Sequence, residues 1–251
     1  MAKILVLIPF SFLTSSQKKR FSSSFLLSVC LKSRRMKKKE CFVFDFDGTL
    51  VDSNELEKVT MVETIHRYHD PFFRPDAIYP YFGPTEDGIL RKIIAPEKIG
   101  EALSFFFDYY EKRQEDLLLP FSGMEEILKI LQEKGKRLFL LTGRSERTLR
   151  LSLRKLSYDA YFEKCYWGSP EGVNKPDSMR RLLEENRLEK KDVVYVGDTL
   201  EDIRSMKEVP VDLLSAGYSH SPIYGQELER NNPGNVCHTI GELKSKIIEL
   251  L

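Results

Sequence analysis

With 251 residues, 41% of them hydrophobic, the chain has apolar material for one large domain or one domain carrying an insert, which excludes a wholly disordered chain and a membrane bundle. The formal charge of +1 conceals an asymmetry: residues 1–39 hold ten Lys or Arg and no acid, leaving 29 basic and 38 acidic side chains in residues 40–251. A body near −9 lacks the net basic face that a phosphate backbone calls for, so nucleic acid is excluded as its main partner, whereas a small phosphorylated metabolite is not.

Residues 1–39 read as a basic, Ser-rich extension. The uncharged stretch from Ile4 to Gln17 contains Pro9 and falls short of the roughly 20 apolar residues of a spanning helix, so no membrane partner is expected. Three origins fit its composition: residues upstream of a true start at Met36, an organelle transit peptide, or a poor export signal. In each case residues 1–35 are expected to be mobile and to carry no chemistry. Cys30, Cys41, Cys165 and Cys237 lie far apart without CxxC spacing, which points to neither zinc nor a disulfide framework. The expected setting is a reducing one, cytoplasmic, or an organelle if the first residues are a transit peptide.

From Cys41 onward the chain alternates. Cys41 to Asp45 is a short apolar run ending in an acid and reads as a buried parallel strand. About 90 residues then separate Asp45 from Arg137, far more than one crossover needs. The spacing predicts an inserted helical module there, with helices over Asn54 to Tyr68, Thr85 to Ile94 and Glu97 to Asp116 joined by Pro-punctuated links. In the last helix the run from Phe105 to Tyr110 is expected to be core, with His66 and His69 of the first helix as ordinary packed or surface residues. A helix over Met124 to Lys134 and strands over Arg137 to Leu141, Asp192 to Val196 and Val211 to Leu214 follow. The pattern predicts a doubly wound, mostly parallel α/β sheet with helices on both faces, built from residues 40–52 and 120–251, and a helical cap over 53–119.

The acids cluster at strand ends. Asp45 and Asp47 flank Phe46 beyond the first strand, and Gly48 and Thr49 open a turn whose free N–H groups can face an anion. Asp198 and Asp202 stand one helical turn apart after the strand ending at Val196. Ligands of open α/β sheets bind outside the carboxyl ends of the strands, so Asp45, Asp47 and Asp198 converge there. Clustered carboxylates repel unless a cation joins them, and all-oxygen ligation suits Mg²⁺. Thr142 and Gly143 at the end of another strand, and Lys175 ahead of a helix, are weak signals alone.

In this order DFDGTLVDS (45–53), LTGR (141–144), NKP (174–176) and VGDTLED (196–202) resemble the four motifs of the haloacid dehalogenase superfamily, and the insert resembles the helical cap of its phosphoglycolate phosphatase and β-phosphoglucomutase branch. The resemblance implies that Asp45 is a nucleophile forming an aspartyl-phosphate and that Asp47 is the general acid and base. It implies that Gly48, Thr142, Gly143 and Lys175 hold the phosphoryl group. Mg²⁺ is then held by Asp45, by the backbone carbonyl of Asp47 and by Asp198, with Asp202 ordering water or Lys175. Asp52, Glu201 and Arg144 are further contact candidates. Asp at position 47 favours phosphoryl transfer over dehalogenation, since an ester's alkoxide needs a proton and a halide does not. The expected activity is therefore a Mg²⁺-dependent phosphatase acting on a small, phosphoglycolate-like monoester, with a sugar-phosphate mutase or a silent binding protein as alternatives. The motifs specify neither the leaving group nor the oligomeric state, and among Arg74, Tyr81, Thr85, Glu86, Arg91 and Lys92 they do not say which side chains of the insert face the crevice.

Overall fold

The computed structural model of the protein describes residues 36–220 and 222–251. The expectations for residues 1–35, Cys30 included, lie outside the described residues. Lys39, placed by the sequence reading in the extension, is fully buried: its ammonium lies 2.7 Å from the carboxylate of Asp212 and donates to the carbonyl of Lys191, and its backbone N–H donates to Leu250 at 2.8 Å.

Six parallel strands form one sheet in the order β5-β4-β1-β6-β7-β8, where β1 is Cys41–Phe44, β4 Arg137–Leu141, β5 Lys164–Tyr166, β6 Val193–Gly197, β7 Asp212–Ala216 and β8 Val236–Cys237. The central strand β1 is apolar throughout because helices cover both of its faces. Phe42 and Phe44 point into one core with Ile127, Leu128, Leu243 and Ile247, whereas Cys41 and Val43 point into the other with Met179, Leu182, Ile203 and Met206. Alternation along a single strand thus feeds two cores, the doubly wound arrangement that the strand and helix order predicted.

Of the strands named from sequence, Arg137–Leu141 is present with the same bounds and the other three with ends shifted by a residue or two, as at Phe44 rather than Asp45. The edge strands β5 and β8 were not read, since three and two residues leave no apolar run long enough to mark them. A two-residue antiparallel ribbon was also missed: β2 (Val51–Asp52) pairs with β3 (Leu119–Pro120), tying together the two chain segments that lead into and out of the inserted helices.

Between β2 and β3 lie α1 (Asn54–Tyr68), a 3-10 turn (Pro75–Tyr81), α2 (Glu86–Ile93) and α3 (Ile99–Leu117). Leu56, Met61, Val62 and Ile65 of α1 are buried, as are Ala102, Phe106 and Tyr110 of α3, the helix it packs against. The aromatic run of α3 divides by face. Phe106, Phe107 and Tyr110 are core, while half-buried Phe105 stacks on Tyr109 at 5.4 Å beneath the guanidinium of Arg67. The remaining helices are α4 (Met124–Glu133), α5 (Glu146–Leu156), α6 (Lys175–Asn186), α7 (Leu200–Glu208), α8 (Pro222–Asn231) and α9 (Ile240–Leu250). No helix among the described residues is long and apolar enough to cross a membrane.

Because Phe44 is fully buried at the centre of the sheet, Phe44→Ala should cost about 3–5 kcal/mol of stability, to be read as a lower denaturant midpoint at unchanged slope.

Candidate active site

Three strand ends and one helix start meet at the carboxyl edge of the sheet. At the end of β1, the backbone N–H of Asp45 donates to Val196 at 2.8 Å, which holds Asp45 against β6. One carboxylate oxygen of Asp45 accepts the Phe46 N–H at 2.7 Å and the other accepts from the Lys175 ammonium at 2.5 Å. The chain then reverses through Gly48, whose N–H donates to Val51 at 2.9 Å. Gly48 has a φ of +64°, and a Cβ there would stand 2.1 Å from an Asp198 carboxylate oxygen, so both backbone and space demand glycine.

At the end of β6, Thr199 and Asp202 form a capping box at the start of α7: the Thr199 hydroxyl accepts from the Asp202 N–H at 3.1 Å while the Asp202 carboxylate takes the Thr199 N–H at 2.9 Å and its hydroxyl at 2.6 Å. Both oxygens of this fully buried carboxylate are engaged, since the other accepts from Lys175 at 2.6 Å and from the Tyr195 hydroxyl at 2.8 Å. Lys175 opens α6, with Pro176 just inside the helix start, and reaches Asp45, Asp202 and Tyr195 with its three donors.

Asp45, Asp198 and Asp202 each place a carboxylate oxygen within 4.8 Å of the other two, and all three are buried. Burial first, offset in part by Lys175 and reinforced by the charges of Asp202 and Asp198, pushes the Asp45 carboxyl up to about 8. Asp198 is also raised, by burial first, although a hydrogen bond from His220 at 2.8 Å opposes it. Asp202 moves the other way: burial raises it, but Lys175 and Thr199 together prevail and hold it below the usual range. Acids that resist ionisation beside an already saturated neighbour form a donor set that a hard divalent cation completes, so the residues present fit Mg²⁺.

Asp47 stands apart from this cluster. Its carboxylate receives the Ser53 hydroxyl and a bidentate contact from the Arg144 guanidinium, with Nε at 2.6 and 2.8 Å. Burial raises the Asp47 carboxyl, but the charge and hydrogen bonds of Arg144 outweigh it and keep it low. The same guanidinium contacts Glu57 of α1 at 3.1 Å and donates to the Tyr110 hydroxyl of α3. Burial first, and then the Asp47 charge, push the Glu57 carboxyl well up from its usual range, against the pull of Arg144.

Thr142 follows β4, its N–H donating to Tyr166 at 2.9 Å and its hydroxyl accepting from the Arg144 N–H at 3.3 Å. Beside it, Gly168 packs so closely that a Cβ would lie 2.0 Å from the Gly143 carbonyl. A cavity of about 320 Å³ opens over these ends, lined by Asp45, Asp47, Gly48, Thr142, Gly143, Arg144, Lys175 and Asp198 from the core. Asp202 lies behind Lys175 rather than on the wall.

Of the weaker candidates, Arg144 reaches the cavity, whereas Asp52 is exposed and Glu201 pairs outward with Arg204 at 3.1 Å. Among the insert residues named from sequence only Glu86 lines the cavity; Arg74, Tyr81, Thr85, Arg91 and Lys92 do not. Sequence reasoning missed Glu57, Tyr195 and His220. Tyr195 carries the one side-chain hydroxyl in the apolar strand VVYVG, a signal open to notice, but nothing local marks Glu57 or His220.

Comparison with known proteins agrees with this architecture. The family model described as haloacid dehalogenase-like hydrolase matches residues 42–216. The pyrophosphatase PpaX of Listeria welshimeri is 28% identical over 204 residues, covering 80% of this chain and 93% of its own. A haloacid dehalogenase-like family hydrolase of Streptococcus pneumoniae superposes with a TM-score of 0.65 at 22% identity, covering 82% of this chain and 97% of its own. CbbY of Rhodobacter sphaeroides, solved in complex with phosphate, superposes with a TM-score of 0.65 at 18% identity over 82% of this chain and 96% of its own.

Removing the guanidinium in Arg144→Ala leaves Asp47 and Glu57 facing each other and should cost about 3 kcal/mol, at the low end for a broken buried pair because those side chains keep 27% and 24% exposure. Equilibrium denaturation checks this. Burial pushes the Cys41 and Cys237 thiols up to about 12, so at pH 8 both stay protonated and resist iodoacetamide in the native protein, yet label on unfolding; mass spectrometry of the two samples reads the difference.

Proposed function

The chain belongs to the haloacid dehalogenase-like hydrolases, as a phosphatase of that family, and we propose that it cleaves a small phosphomonoester with Mg²⁺ through an aspartyl-phosphate on Asp45. The observation that carries this reading is the meeting of Asp45, Asp47, Thr142 and Lys175 on one cavity, beside a buried carboxylate cluster that a cation completes.

A carboxylate oxygen of Asp45 attacks phosphorus and the bond to the ester oxygen breaks. Asp47 gives its proton to that oxygen, which leaves as an alcohol. Water then attacks the same phosphorus, Asp47 takes its proton, and Asp45 is released with inorganic phosphate. Lys175, held by Asp202 and Tyr195, faces the charge that develops on the phosphoryl oxygens, and the Thr142 hydroxyl orients them. Asp45, Asp198 and the backbone carbonyl of Asp47 would hold Mg²⁺, which when bound offsets the charge of the carboxylates and the phosphoryl group. The Arg144 ion pair favours the base form of Asp47 required by the second half, and the proton that Asp47 takes from water there restores the acid form for the next first half.

Three outcomes test the reading. Phosphate release from para-nitrophenyl phosphate should require Mg²⁺ and be abolished in Asp45→Asn; release that persists in that variant would overturn the covalent route. Asp47→Asn should lower kcat by about 10²–10⁴. The nucleophile must be ionised, and without a cation its carboxyl sits at about 8, so at low Mg²⁺ kcat/KM should climb with pH towards 8, and its acid limb should move to lower pH as Mg²⁺ is raised. An acid limb indifferent to Mg²⁺ would remove Asp45 from that role.

A further inference from the structure

The core supplies everything the phosphoryl group needs, so the leaving group meets the part of the cavity wall that the insert provides. That part consists of Asn54, Glu57 and Glu86 with the apolar side chains of Met61, Phe82 and Ile89. Its charge is one-sided. Among the described residues lining the cavity the cations are Arg144 and Lys175, with His220 as a third basic group, and each is already engaged. The Arg144 nitrogens contact Asp47, Glu57, Tyr110 and Ser152. Lys175 holds Asp45, Asp202 and Tyr195, and His220 bonds Asp198. Arg91 and Lys92 of α2 are exposed away from the cavity, Arg91 lying 3.9 Å from Asp87.

A second anion on the substrate, whether a carboxylate or another phosphoryl group, would therefore enter a small enclosure with two carboxyl side chains and no unengaged cation to meet it. Hydroxyl groups fit the same wall. They can donate to Glu57 and pair with the Asn54 amide, while Glu86, whose two oxygens already accept from Ser145 and Thr148, adds a carboxyl group to the wall without a free acceptor, and carbon faces rest on Phe82, Met61 and Ile89, a mixture suited to small polar ligands in a cavity of about 320 Å³. Resting on the phosphatase reading above, we infer that the substrate is the phosphomonoester of an uncharged, hydroxyl-bearing leaving group, a polyol or a sugar, rather than of a carboxylic acid or a second phosphate. This departs from the phosphoglycolate-like substrate that the sequence led us to expect, because phosphoglycolate carries a carboxylate on the side where the insert presents Glu57 and Glu86.

Matched esters that differ only in that charge test the inference on the full chain with Mg²⁺. The pairs are 2-hydroxyethyl phosphate against 2-phosphoglycolate and glycerol 3-phosphate against 3-phosphoglycerate, with para-nitrophenyl phosphate as the control for phosphatase activity. In each pair the uncharged member should have a kcat/KM at least about tenfold higher, as expected for one unfavourable charge contact. In Glu57→Gln the ratio should narrow through a gain on the acidic esters. Equal or better turnover of the acidic members by the wild-type protein would overturn this inference and leave the phosphatase reading standing. Inertness towards every ester, the control included, would overturn both.

Discussion

Repulsion among buried acids governs the carboxyl edge of this sheet. Asp45, Asp198 and Asp202 come from two strand ends and the helix between β6 and β7, and the parallel pairing of β1 with β6 forces them together. One lysine makes the arrangement tenable. Lys175 crosses from the start of α6 to bridge Asp45 and Asp202, and Tyr195 and Thr199 supply the remaining donors to Asp202. Because Asp202 is saturated, it serves as the anchor that aims Lys175. Asp45 and Asp198 lack such a set of donors and burial pushes both carboxyls up, so their ionised forms call for a cation.

A second buried charge joins the inserted helices to the sheet. Arg144 leaves the end of β4 and binds Asp47 on the core side and Glu57 and Tyr110 on the insert side. Nearby, Glu86 at the start of α2 accepts the Ser145 N–H at 2.9 Å and the Thr148 hydroxyl at 2.6 Å, so a side chain of the insert caps α5 of the core. The insert therefore fixes the position of the side chain that hydrogen-bonds Asp47, which couples its placement to the protonation of that acid. The same contacts leave the insert's part of the cavity wall with the carboxyl groups of Glu57 and Glu86 and no unengaged cation among the described lining residues.

Much of the fold was legible in the sequence, for reasons that lie in individual runs. CFVF, RLFLL and VVYVG are continuous apolar segments, which only a strand covered on both faces requires, and the long gap after Asp45 could hold only an insert. The short strands β5 and β8 carry no such pattern, because an edge strand with few residues owes its existence to its neighbour rather than to its own composition. Of the α3 aromatics, Phe106, Phe107 and Tyr110 are core as expected, since helical spacing puts Phe106 and Tyr110 on one face, whereas Phe105 and Tyr109 lie half-buried on another.

At the site the division has the same physical origin. Asp45, Asp47, Gly48, Thr142, Lys175 and Asp198 sit within short motifs at element ends, where backbone direction is set by a few neighbouring residues, so their type and order carry information by themselves. The partners that set their charge state come from far along the chain: Arg144 lies 97 residues from Asp47, Lys175 130 residues from Asp45, and His220 22 residues from Asp198. By itself the sequence determined the alternation, the insert and the motifs that identify the family, because local pattern and turn chemistry suffice for those. Only the tertiary structure decided that Asp202 anchors Lys175, that Arg144 holds Asp47, and that Glu57 and Glu86 rather than Arg91 or Lys92 face the cavity. Side-chain direction and pairing at a site depend on how distant elements pack, and no spacing along a single helix encodes that.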